Sequence, residues 1–144
     1  MTFLGWNYWP TLLRNTYLSN NTALTDLSCS SNQLTSLDIS SNTALTGLSC
    51  SSNQLTSLDI SNNTALTGLY CYNNPITSLD VSMCHDLSNL SCVNWSYNSS
   101  SGYVFDLDTK CPLESLKIYK YHILSDASVA SLEEVYGDII EYVE

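Results

Sequence analysis

From Leu24 to Val81 the apolar positions fall into rows. Leu24, Leu27, Cys29, Leu34, Leu37 and Ile39 make the first. Leu45, Leu48, Cys50, Leu55, Leu58 and Ile60 make the second, and Leu66, Leu69, Cys71, Ile76, Leu79 and Val81 the third, each 21 residues after the last. Polar positions keep step: Asn32, Asn53 and Asn74; Asp38, Asp59 and Asp80; Asn42 and Asn63. Each row divides into halves of one shape, LxxLx[C/I]xxN, as in LTGLSCSSN and LTSLDISSN. Within a half the apolar residues alternate, Leu48 with Cys50 and Leu58 with Ile60, which predicts a short extended segment. The Asn-containing polar stretches predict turns. No stretch from 24 to 100 carries helical periodicity. A fixed period is the signature of a solenoid. One coil cannot bury its own leucines, so its neighbours must cover them, and stability becomes roughly a nearest-neighbour sum.

Outside this region the pattern loosens. A fourth row begins with Leu87, Leu90 and Cys92, then Trp95 replaces the Asn and Tyr97 the following Leu. It carries a five-residue insertion near 98–102, within SYNSSSGY, before Phe105, Asp106 and Leu107 restore the pattern. A fifth row is read at Leu113, Leu116, Ile118, Tyr121 and Ile123. Backwards, Phe3, Trp6, Tyr8, Leu13 and Leu18 fall on core columns of a degenerate coil. The segment 125–144 breaks the repeat. Ser125 or Asp126 caps a predicted helix with Val129, Leu132 and Tyr136 or Val135 on its apolar face. Gly137 suits its end, and DIIEYV follows as a strand, with continued helix to Val143 the alternative. The whole is one domain: a degenerate coil over 1–23, three regular repeats over 24–86, two irregular ones over 87–124, and a terminal cap, which solenoids need.

LTDLSCSSNQLTSLDISSNTA resembles the leucine-rich repeat, in a bacterial 21-residue subclass written LxxLxCxxNxLxxLDxSxN. The resemblance is strong over Leu24 to Val81, weaker to Ile123 and marginal before Leu24. It implies an α/β horseshoe class of fold: a right-handed solenoid, mostly short parallel strands and turns with few helices, closed by a C-terminal helix-strand cap. The LxC segments would be the strands. The family's asparagine ladder maps onto Asn32, Asn53 and Asn74, whose amides would satisfy backbone groups of neighbouring turns. Trp95 breaks that column. Family members are mostly interaction modules, often extracellular or on bacterial surfaces, and the resemblance implies that location here, with the cytoplasm as the alternative.

The cysteines are then readable. If Leu27, Leu48, Leu69 and Leu90 point inward, so do Cys29, Cys50, Cys71 and Cys92 two residues on. The same column is assigned Ile118 in row five and Tyr8 in row zero. A column that accepts Cys, Ile and Tyr is one of packing, and Cys behaves there as a small hydrophobe. Strands lie about 4.8 Å apart, whereas a disulfide wants Cβ atoms near 3.8 Å, so thiols are expected. Cys84 and Cys111 fall on turns of adjacent rows; a bridge between them and plain turn positions are both open. Cys84, His85 and Asp86 are contiguous and cannot easily converge on one substrate atom, since a nucleophile and its base need mutual hydrogen-bond reach. His122 has no evident partner in the sequence. Asp38, Asp59, Asp80 and Asp106 form a column, read as solvated carboxylates eased by adjacent Ser and Thr, with weak calcium binding as the alternative.

Outward positions distinguish the coils. One column carries Ser28, Ser49, Tyr70, Ser91 and Lys117; the next carries Trp9, Ser30, Ser51, Tyr72, Val93 and Tyr119. Coils one and two offer serine, while Tyr70, Tyr72, Ser91, Val93, Lys117 and Tyr119 gather towards the C-terminal half as the candidate partner-binding set. Exposed Tyr gives contact area with a polar tip; packing under the inserted loop is the alternative.

Charge narrows the partners. Asp and Glu total 14 against 4 Lys and Arg, and no Lys or Arg occurs between Leu24 and Asp86. Such a surface repels phosphate backbones and anionic membranes, so nucleic acid is a poor partner. No apolar run is long enough for a membrane span, and MTFLGWNYWPTLLRNTYL is not read as a signal peptide. No acid–base or nucleophile constellation appears. The expectation is a monomeric, non-catalytic, cofactor-free and metal-free module whose strand face binds a protein. The alternatives are a glycan-binding adhesin and a passive spacer of a larger bacterial surface protein.

Overall fold

The structure is a computed structural model and describes residues 3–5, 18–92, 94–98, 102–106, 113, 115–119, 138 and 140–143. Its centre is a five-stranded sheet of short strands: β1 (Phe3–Gly5), β2 (Asp26–Ser28), β3 (Gly47–Ser49), β4 (Gly68–Tyr70) and β6 (Asn89–Ser91). All its pairings are parallel, and Leu27, Leu48, Leu69 and Leu90 stand opposite one another along it. The strands close one residue before each cysteine, whereas the repeat pattern placed them over Leu-x-Cys. Coil-to-coil bonding nonetheless runs on through the cysteines, with Cys29 N donating to Ser49 O at 2.8 Å and Cys50 N to Tyr70 O at 2.9 Å.

Each regular coil then turns through a left-handed residue: Ser31, Ser52 and Asn73 have φ of 56°, 55° and 55°. A short polar residue tolerates that region better than a branched one. The next residue is the ladder asparagine. A second extended stretch follows, and a second turn in which Asn42 N donates to Ile39 O and Leu45 N to Asn42 O, repeated at Asn63 and at Cys84. Between these two sides lies one core of stacked columns. Leu24, Leu45, Leu66 and Leu87 are buried, as are Leu34, Leu55 and Ile76, and Ile39, Ile60 and Val81.

Three registers differ from the sequence reading. At the N-terminal end Leu4, not Trp6, stands opposite Leu27. The strand Phe3–Gly5 is therefore offset by two residues from the 21-residue alignment; Tyr8 and Trp9, assigned to the cysteine and outer columns, lie outside the described residues. In the fourth coil, β7 (Asn94–Asn98) and β8 (Gly102–Asp106) form an antiparallel hairpin, with Trp95 opposite Phe105 and Asn94 opposite Asp106. Phe105 and Asp106 thus do not restore the coil, and Asp106 leaves the aspartate column.

The third difference is the largest. β9 (Ser115–Tyr119) does not continue the central sheet. It pairs in parallel with β5 (Ser78–Asp80) on the other side of the coil, Leu79 opposite Leu116 and Asp80 opposite Lys117. β10 (Ile140–Val143) then pairs with β9, giving a three-stranded sheet ordered β10-β9-β5. Ile118 is therefore not in the cysteine column; its register follows that of Val81. Leu113 and Leu116 are buried, as are Ile76 and Leu79. The final strand is present, while the predicted helix from Ser125 to Tyr136 lies outside the described residues, as do Cys111, Tyr121, His122 and Ile123.

Candidate functional site: the outer face of the central sheet

Side chains alternate across a strand, so the residues flanking each inward leucine face outward. Two register columns result: Phe3, Asp26, Gly47, Gly68 and Asn89, and Gly5, Ser28, Ser49, Tyr70 and Ser91. A third runs just beyond the strands through Ser30, Ser51 and Tyr72, tied by Ser31 N donating to Ser51 O and Ser52 N to Tyr72 O. The floor is not uniformly open. Ser30 and Ser49 share a hydroxyl hydrogen bond of 2.8 Å, and Ser51 is only 1% exposed. Tyr72 is half-buried, while Tyr70 is 44% exposed. Apart from Met83, on a turn, Tyr70 is the large apolar side chain most open to water among the described residues.

Of the candidate set, Tyr70, Tyr72 and Ser91 share this face. Val93 lies outside the described residues. Lys117 and Tyr119 are on β9, in the other sheet, where the register sets Lys117 between Asp80 and Glu141. The basic residue assigned to the tyrosine face thus stands instead at the end of the aspartate column. The two halves of a repeat share one apolar shape, so PLESLKIY fits either side of a coil. Its likeness to PITSLDVS, which includes the proline (Pro75 and Pro112), is the signal that assigns it to the second.

Beneath the face the cysteines stack. Cys29, Cys50, Cys71, Cys84 and Cys92 are all buried thiols outside any disulfide, and Cys71 Sγ lies 3.7 Å from Cys92 Sγ and 3.7 Å from Ser91 O. Cys84 is therefore not bridged to Cys111. It occupies the second-turn column of Asn21, Asn42 and Asn63, and its Sγ donates to Asn63 O at 3.6 Å, as Asn63 Nδ2 donates to Asn42 O at 2.9 Å. Burial pushes its thiol up to about 11, with the nearby Asp80 charge adding to the effect. His85 and Asp86, by contrast, are exposed. A buried thiol held protonated is no nucleophile.

The sign of the resulting pH effect is fixed. The folded chain holds the Cys84 proton more tightly than the unfolded one, so its contribution to stability is complete below the ordinary thiol value and is lost as pH rises between about 9 and 11. Cys84→Asn restores the asparagine of the column. Urea denaturation across this range is expected to show a smaller alkaline loss for the variant than for the parent chain.

The aspartates and threonines are engaged locally. Asp38 Oδ1 accepts from Ser40 N at 3.1 Å and Ser40 Oγ at 2.7 Å, Asp59 Oδ1 from Ser61 N at 3.0 Å, and Asp80 Oδ1 from Ser82 N and Oγ at 3.0 and 2.6 Å. The serine hydroxyl and then the backbone N–H hold the Asp38 carboxyl below its usual range; at Asp59 the backbone bond leads. A shallow cleft of about 220 Å³ lies between Asp38 and Asp59, with Leu37, Ser40 and Asn62 in its wall. Thr46 Oγ1 donates to Thr25 O at 3.1 Å, Thr67 Oγ1 to Thr46 O at 3.0 Å and Ser88 Oγ to Thr67 O at 3.2 Å, a hydroxyl ladder along the edge of the sheet. Among the described residues no three His, Cys, Asp or Glu side chains gather as metal ligands would.

Comparison with known proteins bears on the central coils. Residues 43–89 match the model described as Leucine Rich repeats (2 copies). Curated proteins give no significant match. Among solved structures the chain is similar to the functional domain of InlJ from Listeria monocytogenes, whose description states that it includes a cysteine ladder. Sequence identity is 28% and the TM-score 0.52, over 83% of this chain and 20% of that one. The chain therefore spans about a fifth of the length of the InlJ structure. The coils at 43–89 are leucine-rich repeats, set in a parallel-stranded fold similar to that of InlJ.

Proposed function

We propose that this chain is a non-catalytic interaction module, part of a bacterial surface protein, which binds a protein partner on the outer face of its central sheet. The observation that carries this reading is Tyr70: a large amphipathic side chain, 44% exposed, in a register column otherwise made of three serines and Gly5. A folded chain gains nothing from leaving such a side chain in water, and Tyr concentrates at interfaces because it offers area and a polar tip at low entropic cost. Tyr72, two residues further along the same coil, extends the area. The surface location rests on the resemblance to leucine-rich-repeat surface proteins and on the likeness to InlJ. A spacer role draws support from coils one and two, whose outward serines offer little to grip.

The test is a screen of the purified chain against an array of host-cell ectodomains and, in parallel, a glycan array. A protein ligand is expected. Tyr70→Ala with Tyr72→Ala should weaken its binding at least about tenfold, the scale of an aromatic anchor, with a melting temperature close to that of the parent. Binding confined to the glycan array would favour the adhesin. Protein binding indifferent to both substitutions would move the site off this face.

A further inference from the structure

We propose that the face takes an arginine side chain of its protein partner between the Asp26 carboxylate and the Tyr70 ring; this rests on the reading of that face as a protein-binding surface. Two glycines make the geometry. Gly47 and Gly68 are Cα partners on neighbouring strands. A carboxylate lies over the first: a Cβ added to Gly47 would stand 2.7 Å from Asp26 Oδ1. A ring lies over the second: a Cβ added to Gly68 would meet Tyr70 Cε2 at 3.7 Å. Neighbouring strands are about 4.8 Å apart. An anionic oxygen and an aromatic edge thus lie over glycines of neighbouring strands, on the same side of the sheet. Thr25 Oγ1 donates to the other oxygen, Asp26 Oδ2, at 2.8 Å, which fixes the carboxylate and turns Oδ1 over the glycine.

A guanidinium matches this pair. It is planar, stacks on an aromatic ring and directs N–H groups in its plane towards a carboxylate, where an ammonium is a compact, strongly hydrated point charge. Charge complementarity points the same way. Between Leu24 and Asp86 the chain carries Asp26, Asp38, Asp59, Asp80 and Asp86 and no Lys or Arg. Of these, Asp38, Asp59 and Asp80 are engaged by serines in their own turns. Asp26 alone stands in the outward columns of the central sheet, and it is exposed.

The full chain, labelled with 15N and 13C, is titrated with the peptide acetyl-Gly-Arg-Ser-Arg-Gly-amide and with its citrulline counterpart, which keeps the shape and loses the charge. The Gly47 and Gly68 amides and the Tyr70 ring are expected to shift saturably with the arginine peptide. Asp26→Asn and Tyr70→Ala should each weaken this by roughly three- to thirty-fold, the range of one charge-assisted or cation–π contact. Gly47→Ala keeps both groups but sets a methyl 2.7 Å from the place of Oδ1, so the carboxylate must shift, and it should weaken binding similarly while the spectrum remains that of the folded chain. Absence of shifts at Gly47 and Gly68 overturns the inference. So does an equal spread of shifts over the turns of Asp38, Asp59 and Asp80, which would mean undirected attraction to an acidic chain. Equal shifts with the citrulline peptide overturn it too, yet leave the face as a polypeptide-binding surface. That broader reading fails separately, when Tyr70 and Tyr72 prove dispensable for the partner.

Discussion

Asn53→Ala is expected to destabilise the chain by about 3–5 kcal/mol, because it strips partners from several buried backbone groups at once and each such loss costs about 1–3 kcal/mol. Asn53 Nδ2 donates to Cys29 O, Cys50 O and Ser51 O at 3.0, 2.9 and 3.2 Å, and Oδ1 accepts from Leu34 N at 3.0 Å. One side chain thus ties its own coil to the preceding one on both sides of the turn. Asn74 repeats this, donating to Cys50 O and Cys71 O and accepting from Leu55 N. Alanine leaves the Leu34 N–H without that partner, in a turn too buried for water to replace it. The second ladder supplies the control. Asn63 Nδ2 donates to Ile39 O and Asn42 O, but among the described residues its buried Oδ1 meets no donor, and neither does that of Asn42. Asn63→Ala removes two donations together with an orphaned acceptor whose desolvation was already uncompensated. Its cost is therefore expected to be smaller, about 1–3 kcal/mol. Urea midpoints of the three proteins check the order: parent, Asn63→Ala, Asn53→Ala.

That second ladder shows where the sequence is legible and where it is not. The period of 21 residues is written in the leucines, and the inward register of Leu27, Leu48, Leu69 and Leu90 follows from it. A bonding pattern is harder to see. Asn42 and Asn63 recur in the sequence as plainly as Asn32 and Asn53, yet recurrence alone does not separate a solvated turn from a buried donor. Cys84 conceals the column further, since a thiol replaces the amide while accepting the same place in the turn. The misplacement of β9 has a different cause. Both halves of a coil bury apolar residues at the same spacing, so a lone LxxLxI segment satisfies either side. What decides is the length of the preceding excursion, and the β7–β8 hairpin removes that count. The repeat pattern consequently puts Lys117 and Tyr119 on the tyrosine face, although their backbone lies in the other sheet. The Asp26–Tyr70 pair is not legible, because nothing in the repeat pattern says what lies over Gly47 and Gly68.

Leu69→Ala tests the stacking itself. Leu69 is fully buried, in register between Leu48 and Leu90. Removing its isobutyl group forfeits transfer free energy and leaves a cavity that the rigid columns above and below cannot close, for an expected loss of about 2–5 kcal/mol. Leu37 provides the comparison, being an equally large residue that is only partly buried. Leu37→Ala exposes little that water had not already reached, and about 1 kcal/mol or less is expected from the smaller area lost. The two variants also differ in how they unfold. In a solenoid each coil contacts only its neighbours, so a defect in a central coil weakens coupling between the coils on either side. The denaturant slope of Leu69→Ala should therefore fall below that of the parent as the two sides begin to unfold separately, because the slope follows the surface exposed in one cooperative step. Leu37→Ala should keep the parental slope. Equal losses for the two leucines would mean that burial between coils does not set the cost. An unchanged slope for Leu69→Ala would mean that cohesion between coils is not carried by the leucine column.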